Sequence, residues 1–473
     1  MTATLIRETA PPTPTEPRKG WITDWRPDDE EFWRSTGRKV ARRNLVFSVI
    51  TEHLGFSVWT MFSIIVPYLA AAGFGFTTGQ LFGLVAVPNL VGAFLRIPYT
   101  FAVGVFGGRN WTIVSAGLLV LPTGLLAWAV QNPGTPYWVF VLCGVLAGFG
   151  GGNFASSMAN ISYFYPERHR GAALGVNAAG GNIGVAVVQL AGPFVIAVGL
   201  IGASQGAAVD GSAFYLHNVP LLWMALAIAA AFLARRYMNN LSVAKTTVKG
   251  QLPALKRKHT WIMSVLYIGT FGSFIGFSFA FPLMISIEFP AFASIWLAAL
   301  GPLIGSLARP FGGWLSDRTG GGAPITGTCF VLMSAGVLGA VSGVELGSFW
   351  LFFASFMALF VLAGLANGSA YRSIPAIFQA EAGAEAGGRP TEEAVVRAKR
   401  LTAAALGWIS FIGALGGFAV NQVLRVSNDQ TGSMIGAMYV FAGSYLVFFA
   451  INWWFYQRRV FVLRAPSLAY ANV

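Results

Sequence analysis

The chain of 473 residues is 55% apolar and only 10% charged. A soluble globular domain carries about 25% charged residues, so this composition excludes one and indicates a polytopic membrane protein. The 31 Lys and Arg residues outnumber the 18 Asp and Glu residues, which in a soluble chain would suggest a nucleic-acid partner. Here we expect no nucleic acid, because membrane proteins collect Lys and Arg in their cytoplasmic loops.

A polar segment, residues 1–44, precedes the first apolar stretch. It begins Pro-rich (APPTPTEP) and has no apolar core after a basic start, so we do not expect a cleaved signal peptide. The run ITDWRPDDEEFW mixes aromatic and acidic residues, which predicts a short helix that anchors the tail on the cytoplasmic face.

Twelve apolar stretches follow, which we interpret as transmembrane helices of about 20 residues. The predicted spans are 45–71, 81–106, 112–130, 137–163, 172–199, 219–233, 261–287, 292–314, 325–341, 349–374, 401–423 and 434–455. The fold class is therefore an all-α polytopic membrane protein.

The loop charges predict the orientation of these spans. Cations cluster before the first span and then in alternate connections, at Arg109, at Arg168 and Arg170, from Arg235 to Lys258, at Arg318, and at Arg397, Lys399 and Arg400. The intervening loops hold almost no Lys or Arg, Arg425 being the exception. Both termini are therefore expected on the cytoplasmic side of a cytoplasmic (inner) membrane, in the lipid bilayer.

The longest internal loop, 235–260, divides the chain into two six-helix halves, 45–234 and 261–456, and leaves a cytoplasmic tail at 457–473. The halves echo one another: AALGVNAAGGNIG in the fifth span resembles AALGWISFIGALG in the eleventh, and AGFGGGNFASS in the fourth resembles AGLANGSAYRS in the tenth. Two pseudo-symmetric halves related by an axis along the membrane normal are the arrangement of major facilitator transporters, which bind substrate between the halves.

Two arginines, Arg96 and Arg309, lie inside apolar spans at corresponding positions of the two halves. A charge at membrane depth costs about 3 kcal/mol on insertion scales, so such residues usually face a cavity and mark a substrate path. Neither span contains a carboxylate near its arginine. The pair therefore predicts an anionic substrate.

Longer runs of the sequence resemble one family. FGGGNFASSMANISYFYPERHRGAALGVNAAGGNIG and AALGWISFIGALGGF are similar to the two nitrate signatures of the nitrate/nitrite porter family (NarK-type) of the major facilitator superfamily. ITDWRPDDEEFW, LRIPYTF around Arg96, and WIMSVLYIGTFGSFIGFSF extend the likeness over nearly the full chain. GGWLSDRTGG resembles the general loop motif of the superfamily, whereas its counterpart GGRNW lacks the acid.

The resemblance implies a substrate site. The positions that match the family's anion-binding arginines, polar contacts and enclosing aromatic residues are Arg96 and Arg309, Asn182 and Tyr267, and Phe154 and Phe271. Nitrate and nitrite are planar oxyanions, whose oxygens suit the forked donors of a guanidinium better than a lysine. Aromatic faces are electron-rich, so we expect the phenylalanines to shape a flat slot rather than to attract the anion.

Glycines recur at small-residue spacing through these spans. Close helix packing explains most of them, and sliding of helices during transport is the compatible functional interpretation. The candidate conformational glycines are Gly175, Gly180, Gly184, Gly407, Gly413 and Gly416.

We expect the protein to exchange nitrate for nitrite by alternating access, in nitrate assimilation or anaerobic nitrate respiration. Glu52 and His53 in TEHLGFSVW differ from the exchangers that the sequence resembles, which are apolar at these positions. They keep a second mechanism open, because buried carboxylates can relay protons in a proton-coupled nitrate symporter. If the pair has no role in transport, we expect it to lie near the inner membrane surface, where its side chains are hydrated or hydrogen-bonded to each other. A nitrate sensor that binds without transport is a further alternative.

Few residues suit other chemistry. Four histidines, two cysteines and no carboxylate pair at membrane depth make an enzyme improbable, and we expect no metal and no cofactor. Arg372 adds a cation near the inner end of the tenth span, where it contacts headgroups or loop acids or draws anions inward. The sequence leaves the oligomeric state open, and a monomer is assumed.

Overall fold

The computed structural model of the protein describes residues 20–207, 211–244, 248–292, 295–385, 391–460, 467–469, 471 and 473. The Pro-rich start of the N-terminal tail lies outside the described residues. Helices account for most of the described chain, and each predicted span coincides with a helix.

In the part of the chain that the structure describes, twelve long helices, here numbered α1 to α12, form the bundle. They are α1 (Arg38–Thr60, continued by Phe62–Ile65 and Val66–Tyr68), α2 (Thr78–Phe106), α3 (Gly108–Leu118 with Val120–Ala129), α4 (Tyr137–Phe164), α5 (Glu167–Ile196), α6 (Asn218–Tyr237), α7 (Lys258–Tyr267, Ile268–Gly272 and Ser273–Glu288), α8 (Ile295–Thr319), α9 (Ala323–Glu345), α10 (Phe349–Glu385), α11 (Glu392–Thr431) and α12 (Ile435–Asn452, continued by Trp453–Gln457). Shorter helical segments lie at Glu30–Phe32, Trp33–Gly37, Val248–Leu255 and Pro290–Phe292.

Most of these helices could cross a membrane. Among the described residues, ten have the required length and apolar composition, and an eleventh span results if the bent pair Glu30–Thr60 and Phe62–Tyr68 is counted as one. The remaining long helix, α8, carries Arg309 together with Asp317 and Arg318. The prediction of an all-helical polytopic membrane protein is confirmed.

Local sequence explains where the helices begin and end. Thr77 and Gln80 form a reciprocal capping box at the start of α2, which satisfies backbone donors that have no partner inside the helix. Gly107, at φ +86°, ends α2 and allows α3 to begin at the next residue. Gly432, at φ +67°, ends α11 in the left-handed conformation that favours glycine.

The packing of the helices repeats between the halves. Within the first half α2 packs most extensively on α4, and within the second half α8 packs on α10 in the same way. Between the halves α2 packs on α11 and α5 packs on α8, which are the same pair once the halves are exchanged. The fold therefore has the pseudo-symmetry that the sequence repeats predict, and the arginine-bearing helices α2 and α8 both lie at the interface.

The N-terminal segment packs on the protein itself. Strand β1 (Trp21–Ile22) pairs in parallel with β4 (Asn240–Leu241), which follows α6, while β2 (Gly206–Ala207) and β3 (Ala213–Phe214) form a separate antiparallel pair. The Trp25 indole donates to the carbonyl of Tyr163 at 3.0 Å, and Trp33 is buried. The predicted anchor helix begins at Glu30 and continues without a break into α1, and Trp25, which precedes it, packs against the end of α4. We call this end of the bundle the terminal face.

Polar contacts join the two halves on both sides of the bundle centre. At the terminal face, the Lys399 ammonium on α11 lies 2.5 Å from the Glu167 carboxylate on α5. Toward the opposite face, the Gln189 amide on α5 donates to the carbonyl of Ser278 on α7 at 2.6 Å. The residues at the bundle centre therefore lie between a polar contact at the terminal face and another toward the opposite face.

Candidate anion-binding site

Arg96 lies where α1, α2 and α4 pack closely. A Cβ on Gly92 would come within 2.5 Å of the Trp59 indole nitrogen, and one on Gly151 within 2.7 Å of the same ring, so only glycine allows this approach. The helix backbones close around the arginine, which is 1% exposed. The position is about 15 Å from the end of α2, well inside the bundle.

Three aromatic rings surround the Arg96 guanidinium. Its central carbon lies 4.9 Å from the ring centroid of Phe154, 4.9 Å from that of Phe271 and 5.8 Å from that of Trp59. Phe271 belongs to the second half, so the two halves share this cage. Cation–π attraction stabilises the arginine there, and the enclosure of an anion by these phenylalanines stays a prediction.

The hydrogen bonds of Arg96 also cross between the halves. Its Nη1 donates to the Ser410 hydroxyl at 2.5 Å and to the Ser410 carbonyl at 3.1 Å. Its Nε and Nη2 are buried and have no hydrogen-bond partner among the described residues. A buried guanidinium with unused donors is costly unless an acceptor meets them.

Arg309 is held by partners from its own half. Its Nη2 donates to the Tyr267 hydroxyl at 3.3 Å, which donates in turn to the Asn367 carboxamide oxygen at 3.3 Å. The guanidinium carbon lies 5.6 Å from the Tyr371 ring centroid. Nη1 is buried without a partner among the described residues, although the residue as a whole is half-buried.

One face of α7 links the two arginines. The Tyr267 and Phe271 rings stack with centroids 5.6 Å apart and planes 17° apart. Tyr267 bonds to Arg309 while Phe271 covers Arg96, so the two guanidinium groups flank the same pair of rings. Within the described chain neither arginine forms an ion pair with a carboxylate within 4.0 Å, and each interacts electrostatically with the other.

Comparisons with known proteins identify the family of the chain. The family model described as the Major Facilitator Superfamily matches residues 45–421. The nitrate/nitrite transporter NarU of Escherichia coli (strain K12) is 43% identical over 93% of this chain and 97% of its own. The probable nitrate/nitrite antiporter NarK2 of Thermus thermophilus is 34% identical over 93% of this chain and 97% of its own. The chain belongs to the nitrate/nitrite transporter family of the major facilitator superfamily.

Solved structures confirm the fold of this nitrate/nitrite transporter. A bacterial homologue of the human lysosomal transporter Spinster, and the xylose transporter XylE from E. coli, each match with a TM-score of 0.62 at 14% identity. Each match covers 86% of this chain and 95% of the other. At this identity the likeness concerns the fold alone, and it confirms the predicted major facilitator architecture. The family consists of transporters, so the expectation that the chain is not an enzyme is also confirmed.

Asn182 makes no direct hydrogen bond to the arginine pair among the described residues. It is buried on α5, and its Oδ1 has no hydrogen-bond partner among the described residues. Its role as a substrate contact stays a prediction.

Glu52 lies deep in the first half of the transporter, not at a membrane surface. It is 0% exposed, and its Oε2 accepts from the Ser157 hydroxyl on α4 and from the Asn177 amide on α5, the latter at 2.6 Å. The prediction that Glu52 and His53 form a hydrated or mutually hydrogen-bonded pair is therefore wrong. The reason is that Ser157 and Asn177 donate to Oε2 of the carboxyl group inside the bundle.

His53 points away from Glu52. Its Nδ1 lies 3.2 Å from the carbonyl of Gly180, and the ring borders an apolar groove between α1, α5 and α6. The groove residues are Val49, Ile50, Leu54, Gly180, Ile183, Leu226, Ala229, Ala230 and Leu233. The structure thus separates the two groups that the sequence placed together.

The predicted conformational glycines fall into two groups. A Cβ on Gly180, Gly184, Gly413 or Gly416 would meet Val49, the His53 carbonyl, the Tyr267 ring or the Gly272 backbone, respectively, at less than 3 Å. Gly175 has open space around it, and Gly407 is half-exposed on α11. Close packing therefore explains four of these glycines, and among those four Gly413 is the one whose Cβ would meet the side chain of a predicted anion-site residue.

Sequence reasoning missed three residues that position the arginines: Ser410, Asn367 and Tyr371. Ser410 and Asn367 lie in the repeated motifs AALGWIS and AGLANGS, which is the signal that could have found them. Tyr371 precedes Arg372 in AYRS. Arg372 itself pairs with Asp317, an acid in the last turns of α8 rather than in a loop, at 2.7 Å.

Proposed function

We propose that this nitrate/nitrite transporter exchanges nitrate for nitrite by alternating access, and that the anion binds between Arg96 and Arg309. The observation that carries the proposal is the pair of guanidinium groups, one from each half, that flank a shared aromatic pair and retain buried unpaired donors. The names of the relatives supply the substrates, and the donor chemistry suits them.

The unused donors match a planar oxyanion. Arg96 offers Nε and Nη2. The N–H bonds of a guanidinium form a fork, so that two adjacent oxygens of one anion can accept from both nitrogens. Arg309 offers Nη1 from the opposite half. A single anion that accepts from both would satisfy buried donors on each half at once and so link the halves.

Charge explains why exchange, rather than free reorientation, is favoured. At a separation of ~8 Å and an effective dielectric constant of ~20, two guanidinium groups repel each other by about 2 kcal/mol. A bound monovalent anion reverses this repulsion, because each arginine then faces a negative charge. Movement of the halves about the site is therefore easier with an anion bound, so that inward passage of nitrate is coupled to outward passage of nitrite.

The test is nitrate counterflow into proteoliposomes loaded with nitrite. Arg309→Lys keeps the positive charge and a donor for Tyr267 but loses the fork, so nitrate uptake should fall about tenfold. Arg34→Lys is the matched control, because Arg34 is exposed and pairs with Glu30 on the terminal face, away from the site. Undiminished counterflow in Arg309→Lys would contradict the proposal.

A further inference from the structure

Glu52 is a buried acid that the exchange mechanism leaves without a function. Its Oε1 has no hydrogen-bond partner among the described residues, whereas Oε2 accepts from both Ser157 and Asn177. The carboxyl group packs against α5 at Gly181, where any Cβ would collide with it. An ionised carboxylate with one bare oxygen in such a place is costly, and a neutral one is much less so.

The groups around Glu52 connect it electrically to the anion site. Arg96 from α2 and Arg309 from α8 both act on its charge, and Tyr371 from α10 lies within electrostatic range. The described residues of α3 and α6 add no charged group to it, and the neighbouring His53 is turned toward Gly180. The carboxylate thus shares the two cations with any anion bound between them.

We propose that Glu52 is a proton-binding site whose occupancy is linked to anion binding between Arg96 and Arg309. The inference rests on the proposed function and names the ion coupled to it. An O–H bond forms at Oε1 when the carboxylate takes a proton from water on one side of the membrane. That bond breaks when the proton returns to water on the other side, after the anion has left.

The linkage has a definite sign. An ionised Glu52 repels the anion and competes with it for the arginines, so protonation strengthens anion binding, and a bound anion favours protonation. At ~8–10 Å and an effective dielectric constant of ~20, the effect on anion affinity is on the order of tenfold. Exchange of nitrate for nitrite can proceed while Glu52 stays protonated. Net uptake with no anion returning requires the proton to enter and leave with each nitrate.

The experiment compares two assays in proteoliposomes: net nitrate uptake into anion-free vesicles and counterflow into nitrite-loaded vesicles. In the wild-type transporter, an acid-outside pH gradient should raise net uptake on the order of tenfold, and a pH-sensitive dye inside should report acidification that follows nitrate entry. Glu52→Gln keeps the size and the hydrogen-bond capacity of the side chain but does not titrate. It should retain counterflow, lose the dependence on the gradient, and give no acidification.

The control variant is Glu345→Gln, which makes the same chemical change at an exposed position near the end of α9. It should behave as the wild type in both assays. A purely structural Glu52 predicts that Glu52→Gln keeps gradient-driven uptake, and that result overturns the proposal. If Glu52→Gln does not fold, the wild-type dye assay decides, since nitrate entry without acidification also overturns it. Loss of wild-type counterflow would instead overturn the proposed exchange function.

Discussion

The two arginines of the site are held in different ways. Arg96 in the first half is fully buried, caged by three rings, and bonded across the interface to Ser410 in the second half. Arg309 is half-buried, and its hydrogen bond goes to Tyr267 in its own half. Arg96 is thus the residue whose environment depends on how the halves meet, while Arg309 keeps the same partners if its half moves as a rigid body.

The first helices of the two halves, α1 and α7, also differ. In α1 the carboxyl of Glu52 is buried at the level of the arginines, whereas α7 contains no acidic residue before Glu288 at its last position. Each half therefore carries one arginine, and the first half carries a buried carboxyl group in addition. The two arginines occupy corresponding positions in the halves, whereas the residues that surround them differ.

The largest effect should come from replacing the more buried arginine. Arg96→Lys removes the fork, the cage contacts and the bond to Ser410, a loss of about 3 kcal/mol, or roughly 100-fold in nitrate affinity. Arg309→Lys should lose about tenfold, since Tyr267 can still accept a hydrogen bond from an ammonium. Nitrate-dependent thermal stabilisation of the two purified variants measures this difference. Equal losses would remove the distinction between the halves.

Gly413 and Gly175 allow a matched test of packing against the site. A Cβ on Gly413 would lie 2.3 Å from a Tyr267 ring carbon, so Gly413→Ala must displace the ring that bonds to Arg309. Overpacking of this kind costs about 1–3 kcal/mol, and counterflow should fall at least several-fold. Gly175→Ala meets open space and should leave counterflow unchanged. A Gly413→Ala protein with normal counterflow would show that the position of Tyr267 is unimportant.

Removal of the Tyr267 hydroxyl should have a smaller effect. Tyr267→Phe keeps the stacked ring but breaks the connection from Arg309 to Asn367, which is worth about 1 kcal/mol. The concentration of nitrate for half-maximal counterflow should rise about fivefold. Substitution of Arg96 should weaken nitrate binding by nearly the same factor with or without the Tyr267 hydroxyl. A rise as large as that of Arg309→Lys would mean that the hydroxyl itself contacts the anion.

The smallest effect is expected at His53. Because its ring faces the apolar groove beside Gly180 rather than the arginines, His53→Gln should change the pH dependence of net uptake less than twofold. Gradient-driven uptake in this variant is the measurement. A loss comparable to that of Glu52→Gln would place the proton pathway through the groove instead of at the arginine pair.

The sequence was sufficient for the fold because its signals are local or repeated. Apolar length located each helix, and the echoes between the halves located Arg96 and Arg309 at equivalent positions. Helix ends were less well placed: α10 continues to Glu385 and α11 begins at Glu392, beyond the apolar spans, because polar residues can extend a helix outside the membrane.

The partners of the arginines could not be read from the sequence in the same way. Ser410 and Asn367 act through contacts that join distant helices, and a serine in an apolar helix more often bonds to its own backbone. The sequence left two interpretations of Glu52 open, a buried proton relay or a hydrated pair near the membrane surface. The partners that bury it, Ser157 and Asn177, come from α4 and α5, and no local pattern in TEHLGFSVW indicates them.

The most direct measurement of the central claim is an experimental structure of the transporter with nitrate bound. We predict one anion between the halves, with its oxygens about 3 Å from the Nε or Nη2 of Arg96 and from the Nη1 of Arg309. An anion bound elsewhere, or either guanidinium paired with a carboxylate while nitrate is present, would contradict the account.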